Sequence, residues 1–184
     1  SISGVALALP SMGMASASAI TMKACIAFNP KFVAMTGICA ATNPKLNIGD
    51  IIVARFCWDW GNGKISLEGE KQVFFQAPDQ IQILPALSAY FDSISVGRNY
   101  LDDIYNKYRG RKPSTILNLH VGPMCSGAVV LEDPAVVQKI IEQGHRKTLG
   151  IDMEAYGFMF ALRMFSCTPP PYIVVKSVSD YANP

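Results

Sequence analysis

The stretch that decides the fold lies near the end of the chain, where residues 150–156 read GIDMEAY and residues 172–183 read YIVVKSVSDYAN. The apolar residues after Glu154 predict a helix, and the β-branched run before Asp180 predicts a buried strand. Asp180 then lies at the carboxyl end of that strand, where open α/β sheets bind ligands. Two carboxylates at such a position suit cleavage of a bond to the anomeric carbon of a sugar: one holds the hydroxyls and the other protonates the leaving group.

Further motifs lie upstream. Residues 36–40 read TGICA, residues 49–53 read GDIIV, and residues 122–127 read GPMCSG. Together with the Met-Glu pair at 153–154 and SDYAN at 179–183, they resemble the nucleoside phosphorylase and nucleosidase superfamily, most closely its methylthioadenosine/S-adenosylhomocysteine nucleosidase branch. The resemblance covers most of the chain. It implies one domain over residues 1–184 with the phosphorylase/nucleosidase fold, an α/β fold in which helices flank a central mixed β-sheet.

The hydrophobic pattern predicts alternating strands and helices. Strands are predicted at 5–9, 32–36, 51–56, 115–121 and 172–178. Helices are predicted at 14–28, 84–108, 134–143 and directly after Glu154, with a break in the second near Gly97. Residues 57–85 are predicted to be irregular. The helix after Glu154 is apolar on every side, so we expect it to be buried all round.

We interpret the chain as truncated at both ends. By the resemblance, residues 5–9 already form an interior strand, and the chain stops at Pro184, where a helix should begin. The family's first strand carries an acidic residue that activates the attacking water, whereas no Asp or Glu precedes Asp50 here. We therefore expect the first strand and the last helix to be missing, which leaves turnover by this chain alone an open question.

Composition and charge narrow the possible partners. Half of the 184 residues are hydrophobic and the mean hydropathy is +0.23, which suits a sheet buried on both faces or a wide apolar interface. We therefore expect a homodimer or higher homo-oligomer, as the resemblance also implies. The net charge is +2 without a basic block, so nucleic acid is not expected. No apolar run reaches the about 18 residues of a membrane span, and the apolar start lacks the basic leader of a signal peptide.

The cysteines and histidines predict neither a disulfide framework nor a metal site. The five cysteines are odd in number and lie in apolar surroundings, which is typical of buried thiols in a reducing, cytoplasmic environment. His120 and His145 have no metal-ligand spacing, so we interpret them as a strand residue and a surface helix residue. The resemblance implies no metal and no organic cofactor.

The resemblance assigns a role to each of the two carboxylates. Asp180 is the general acid that hydrogen-bonds or protonates the purine at N7, and Glu154 accepts hydrogen bonds from the ribose 2′- and 3′-hydroxyls, a contact that strengthens as the sugar gains positive charge. Each residue also has a structural interpretation. Asp180 could cap a following helix, and Glu154 could be a first-turn glutamate favoured by the helix dipole.

The resemblance also implies a set of substrate-binding residues, which are Met153, Val130, Leu131, Ser179, Ile38 and Lys176. Met153 packs on the apolar face of the sugar. Residues 129–131 give the purine backbone groups and an aliphatic wall. Relatives often place an aromatic ring there, so we consider stacking by Trp58 or Trp60, although both also suit a core or an interface.

Lys176 lies on the predicted strand that leads to Asp180, where relatives often have an arginine. Two interpretations stay open for it. The amine could orient or neutralise a catalytic carboxylate, or it could be a partner for Asp152 alone.

The residues around Gly37 distinguish hydrolysis from phosphorolysis. Phosphorylases of the family commonly place a basic residue two positions before this glycine and a Ser or Thr after it, because phosphate needs charged and polar donors. Met35 and Ile38 hold those positions here, and an apolar wall penalises a dianion by desolvation. Only Arg55 and Lys64 are considered as nearby cations that could restore an anion site.

We therefore expect hydrolysis of the N-glycosidic bond of a purine nucleoside or 5′-modified adenosine of the methylthioadenosine/S-adenosylhomocysteine type, giving free base and a ribose derivative. Two alternatives stay open. One is a purine nucleoside phosphorylase that uses other anion ligands. The other is a nucleoside-binding sensory or regulatory module that keeps Glu154 and Asp180 for recognition without turnover.

Overall fold

After a first helix and a run of five strands, two helices follow, and strands and helices then alternate to the end of the described chain. The computed structural model describes residues 3–97 and 99–183. The elements in chain order are α1 (Met14–Phe28), β1 (Val33–Ala41), β2 (Ile51–Asp59), β3 (Gly63–Glu68), β4 (Lys71–Gln76), β5 (Gln80–Gln82), α2 (Pro85–Val96), α3 (Asn99–Lys107), β6 (Leu119–Ser126), α4 (Pro134–Gln143), β7 (Gly150–Asp152), α5 (Ala155–Phe165) and β8 (Tyr172–Asp180). Within the described ranges, none of these helices has the length and apolar character needed to cross a membrane.

Six strands form one mixed sheet in the order β5–β2–β6–β7–β1–β8. β1 is parallel to β8, and β6 is parallel to β2 and β7, whereas β7 is antiparallel to β1. β8 also pairs with β2, so the sheet curves back on itself. In the β1–β8 ladder Gly37 lies opposite Lys176, and Ala40 lies opposite Asp180. The carboxyl ends of β1 and β8 are therefore side by side.

The core lies between this sheet and the helices α1 and α5. Ile52, Met124 and Val174 of the sheet pack in one cluster with Met159 of α5, and the structure exposes none of the four side chains. Burying such a side chain stabilises the fold by about 1.5–3 kcal/mol. The predicted α/β class with a central mixed sheet is confirmed.

α1 and α5 approach closely because Gly157 has no side chain. A Cβ at this position would lie 2.4 Å from the carbonyl oxygen of Met14. Ser18 adds a hydrogen bond across the contact, from its hydroxyl to the carbonyl oxygen of Gly157 over 2.7 Å. This contact fixes the segment before α1 next to the first turn of α5.

Three of the helix predictions are confirmed in detail. α1 and α4 have the predicted bounds, and the predicted break near Gly97 separates α2 from α3. α4 begins where it does because Asp133 accepts the backbone N–H groups of Ala135 and Val136, as an N-cap residue does.

Several strand predictions need new bounds. β1 continues through Gly37, because this glycine pairs with Lys176 within the ladder. β2 and β8 extend beyond their predicted ends, and the strand predicted at 115–121 lies instead over Leu119–Ser126. β7 was not predicted, since a strand of three residues is too short to show a hydrophobic periodicity.

Two other predictions are wrong. Residues 5–9 form no strand; they line a cavity of about 410 Å³ together with residues 33–36, so a gap rather than a ladder separates the two segments. Residues 57–85 are not irregular, because they contain the hairpin β3–β4 and the strand β5. Gly69, at a φ of 64°, forms the hairpin turn, and the frequent glycines hid the alternation of the flanking strands.

Burial differs from the prediction at three places. Cys167 is exposed, while the other four cysteines are buried. α5 is not buried all round, since only one side packs on α1 and the sheet: Phe160 is 38% and Met164 is 62% exposed. His145 lies in the turn after α4, not in a helix, and its ring packs edge-on against Phe56.

Replacing Gly157 by alanine tests the close approach of α1 and α5. The added methyl group must push the helices apart, and overpacking of this kind costs about 1–3 kcal/mol. We expect the free energy of unfolding in urea to fall by that amount. Gly97→Ala is the control, because a Cβ there meets no atom nearer than 3.8 Å. Equal stability of the two variants would contradict the packing.

Candidate active site

The carboxyl ends of β1, β7 and β8 meet at a cavity of about 200 Å³. The β1–β7 pairing places Ala40 opposite Ile151, and the β1–β8 pairing places Ala40 opposite Asp180, so three strand ends converge on one point. The cavity is lined by Met12, Ile38, Cys39, Ala40, Val129, Val130, Leu131, Ile151, Asp152, Met153, Glu154, Ser179 and Asp180.

Most residues predicted for the site line this cavity. They are Asp180, Glu154, Met153, Val130, Leu131, Ser179 and Ile38. The remaining one, Lys176, is not part of the lining, but its buried amine contacts the carboxylate of Glu154. The predicted residues are thus brought together, and their chemical roles remain predictions.

The sequence prediction missed the loop before α1. Met12 is 73% exposed and forms part of the cavity wall. Gly13 has a φ of 106°, which favours glycine, and donates its backbone N–H to Oε1 of Glu154 over 3.1 Å. The turn at residues 10–13, directly before an apolar helix, is the signal that could have pointed to this loop.

A buried lysine joins two of the carboxylates. Nζ of Lys176 lies 2.8 Å from Oδ2 of Asp152 and 3.3 Å from Oε2 of Glu154. Burial by itself would lower the pKa of Lys176, but the charges and hydrogen bonds of Asp152 and Glu154 outweigh it and raise this pKa above its ordinary value. The charged amine therefore pairs with Asp152 and also contacts Glu154, so Asp152 is not its only partner, and a role in orienting Glu154 stays a prediction.

Asp152 is bonded on both carboxylate oxygens. Its Oδ1 accepts the hydroxyl of Ser126 over 2.6 Å, and Ala155 donates its backbone N–H to both oxygens over 3.2 and 3.0 Å. Ser126 in turn accepts the N–H of Tyr156 over 2.9 Å. Asp152 and Ser126 thus satisfy the first N–H groups of α5. Glu154 makes no side-chain capping bond, so its carboxylate is available to the cavity.

Asp180 is the last residue of β8 and is exposed. Its Oδ1 accepts the backbone N–H of Ala182 over 2.9 Å, and its Oδ2 accepts the hydroxyl of Ser179 over 2.7 Å. The same hydroxyl lies 3.2 Å from the carbonyl oxygen of Cys39 on β1. These bonds hold the carboxylate at the cavity and also give it the cap-like contact of the structural interpretation.

The apolar wall of the cavity is aliphatic, as predicted. Val129 and Val130 are exposed, at 53% and 64%. Trp58 and Trp60 are absent from the described lining. Trp58 is wholly buried and donates to Thr148 over 3.1 Å, and Trp60 packs on Gly127. The prediction that one of them stacks on a base in this cavity is therefore not supported by their positions.

Cys39 lines the cavity as a neutral thiol. Burial and the nearby Asp152, only partly offset by Lys176, raise its pKa to about 12. A nucleophilic role needs the thiolate, so at neutral pH Cys39 contributes surface and not reactivity.

The charges around the cavity are mainly negative. Asp152, Glu154 and Asp180 lie in its described lining, which contains no Lys or Arg, and the amine of Lys176 is shared by two of them. Arg55 pairs with Asp92, and Lys64 lies over the ring of Phe75. This arrangement stabilises positive charge on a ligand and disfavours an anion.

No group of three or more His, Cys, Asp and Glu within residues 3–97 and 99–183 is placed to hold a metal ion. The described lining of the cavity offers carboxylates and hydrogen-bonding groups.

The chain belongs to the phosphorylase superfamily, because the family model of that description matches residues 3–184. Among solved structures, the 5′-methylthioadenosine/S-adenosylhomocysteine nucleosidase of Helicobacter pylori is similar, with a TM-score of 0.68 and 17% identity over 94% of this chain and 65% of that chain. The futalosine hydrolase of the same organism has a TM-score of 0.65 and 16% identity over 92% of this chain and 65% of that chain. At these identities the similarity shows the fold.

Two curated relatives match nearly the whole chain. The uncharacterized protein y4jS of Sinorhizobium fredii is 34% identical over 99% of this chain and 44% of its own length. The ATP nucleosidase Cap17 of Escherichia coli is 25% identical over 99% of this chain and 37% of its own length. The chain therefore spans less than half the length of these relatives.

Replacing Lys176 by methionine tests the buried ion pair. The change leaves Asp152 buried beside an apolar side chain, and breaking a buried pair from one side costs about 3–5 kcal/mol. We expect the free energy of unfolding at neutral pH to fall by that amount. Lys107→Met removes an exposed i,i+4 pair with Asp103 and should change it by about 0.5 kcal/mol or less. A similar small loss for Lys176→Met would mean that the pair is not formed in solution.

Proposed function

We propose that the protein hydrolyses the N-glycosidic bond of a purine nucleoside or a 5′-modified adenosine, with release of the free base and a ribose derivative. The observation that carries the proposal is the placement of Glu154 and Asp180 on one cavity of about 200 Å³, beside an aliphatic wall. Cleavage passes through an oxocarbenium-like sugar, so it needs a better leaving group and a negative environment for the ribose.

Glu154 is the proposed sugar contact. Lys176 and the N–H of Gly13 each hold one of its oxygens, and the carboxylate keeps further lone pairs for the ribose 2′- and 3′-hydroxyls. As the sugar gains positive charge, these hydrogen bonds and the charge attraction strengthen, so the contact favours the transition state over the ground state. Met153 would pack on the sugar beside it.

Asp180 is the proposed general acid. It lines the cavity at the end of β8, where one carboxylate oxygen accepts the hydroxyl of Ser179 and the other accepts the N–H of Ala182. A purine between Asp180 and the aliphatic residues Val130 and Leu131 would present N7 to the carboxyl group. Protonation or hydrogen bonding there makes the base a better leaving group.

The names of the relatives do not decide which 5′ substituent the sugar carries. Their printed names include a methylthioadenosine/S-adenosylhomocysteine nucleosidase and an ATP nucleosidase, which differ in this group. The exposed side chains of Met12 and Ile38 are the apolar lining nearest to solvent. An assay should therefore compare methylthioadenosine, S-adenosylhomocysteine, adenosine and ATP.

Nucleoside binding without turnover is a second candidate. Both oxygens of Asp152 are engaged, so the described lining offers Glu154 and Asp180 but no third carboxylate with free oxygens to activate water. Nucleoside binding by calorimetry without release of base would favour this candidate.

We further propose a cytoplasmic homodimer or higher homo-oligomer, which the exposed Ile65 and Leu67 of the β3–β4 hairpin support.

The first functional prediction concerns Asp180. In the full-length protein, Asp180→Asn keeps the shape but removes the proton donor, so turnover should fall by about 10²–10⁴, the usual share of a general acid. Base release by chromatography measures this change. Asp103→Asn, which removes an exposed carboxylate, should leave turnover unchanged. Near-full activity of a folded Asp180→Asn protein would refute the assignment.

The second concerns phosphate. Met35 and Ile38 replace two groups that could each bond a phosphate oxygen, and a charge-assisted bond contributes about 1.5–3 kcal/mol. Their loss should weaken phosphate binding by about two to four orders of magnitude. Base release should therefore not depend on phosphate concentration, with sulfate as the control for ionic strength. A rate that rises with phosphate, together with a ribose 1-phosphate product, would establish the phosphorylase alternative.

A further inference from the structure

The side chain of Lys176 passes over Gly37. The two residues are partners in the parallel β1–β8 ladder. A Cβ on Gly37 would lie 3.1 Å from Nζ of Lys176, 3.4 Å from its Cδ and 3.6 Å from its Cε. Any side chain at position 37 would therefore press on the end of the lysine. The φ of Gly37 is not in the left-handed region, so glycine is favoured here by the limited space beside the lysine and not by backbone conformation.

Asp152 fixes the other side of the ammonium group. Its carboxylate is held by Ser126 and by the N–H of Ala155, so it cannot turn to follow the lysine. With Gly37 on one side and Asp152 at 2.8 Å, the position of Nζ is determined by rigid elements. Glu154, at 3.3 Å, is the more exposed of the two carboxylates and belongs to the cavity.

We infer that Gly37 and Asp152 are positioning residues, which hold the ammonium group of Lys176 where it directs the Glu154 carboxylate toward the ribose hydroxyls. The inference rests on the proposed function, because it assigns Glu154 to the sugar. It predicts that a side chain at position 37 impairs recognition of the ribose without touching the substrate. Gly37, although it belongs to the TGICA motif, then acts through Lys176.

The first test is a double-mutant cycle on turnover in the full-length protein. In Gly37→Ala, Nζ must move by a few tenths of an ångström, and we expect turnover to fall about tenfold, since misplacement by about 1 Å can cost a hundredfold. In the background of Lys176→Met, Gly37→Ala should have no further effect, because the group it displaces is gone. Additive losses would overturn the inference. Gly97→Ala should not change turnover.

The second readout separates positioning from a general structural defect. A hydroxyl bonded to a charged acceptor contributes about tenfold to hundredfold, so the parent protein should prefer adenosine to 2′-deoxyadenosine by that factor. Gly37→Ala should reduce this ratio toward one, mainly by slowing the turnover of adenosine. If the variant loses activity on both substrates equally, Gly37 is structural and the inference is wrong.

Folding and function are controlled separately. If Lys176→Met does not fold, the cycle is run in Asp152→Asn with Lys176→Met, where no buried charge is left unpaired. If the parent protein releases no base, the hydrolase proposal fails, and calorimetry with adenosine and 2′-deoxyadenosine gives the same ratio for binding. A preference for adenosine that is retained in Gly37→Ala overturns the inference by either measurement.

Discussion

The buried contact of Lys176 with Asp152 and Glu154 is the interaction on which the site depends. Three elements must be in place for it to form: β8 supplies the lysine, the end of β7 supplies Asp152, and the start of α5 supplies Glu154. An amine with a side chain only 4% exposed is tolerated because two carboxylates and their hydrogen bonds replace water. The contact therefore joins the register of the sheet to the orientation of the cavity carboxylate.

The charge balance follows from this contact. One amine is shared by two carboxylates, and Asp180 adds a third acidic group without a cation in the described lining. Such a cavity stabilises a sugar that becomes positive and resists a phosphate dianion. The charge of this cavity thus supports the proposed preference for water over phosphate, in addition to the apolar side chains of Met35 and Ile38.

Much of the site could be predicted from the sequence, because its residues lie in short motifs at strand and helix ends. Glu154 and Asp180 were found this way, and the β-branched run before Asp180 indicated where the strand ends. The role of Gly13 could not be found, since it depends on the contact of α1 with α5 at Gly157, which is distant in sequence. The engagement of Asp152 by Ser126 likewise depends on the β6–β7 pairing, in which the two residues are partners.

The errors in the fold prediction arise because sequence composition does not report which strands pair. Residues 5–9 have strand-like composition, but a strand also needs a partner edge at hydrogen-bonding distance, and composition does not report it. The β3–β4 hairpin was missed for the opposite reason, since its frequent glycines resemble a loop while its two segments pair residue by residue. In both cases pairing, not propensity, decided the outcome.

The most direct measurement is a crystal structure of the full-length Asp180→Asn protein with an adenine nucleoside bound. The account predicts the ribose 2′- and 3′-hydroxyls within about 3 Å of the Glu154 carboxylate, a hydrogen-bonding distance. It also predicts N7 of the base beside residue 180 and the purine against Val130 and Leu131. A nucleoside bound elsewhere, or bound with its base at Glu154 and its sugar at position 180, would contradict the assignment of the site.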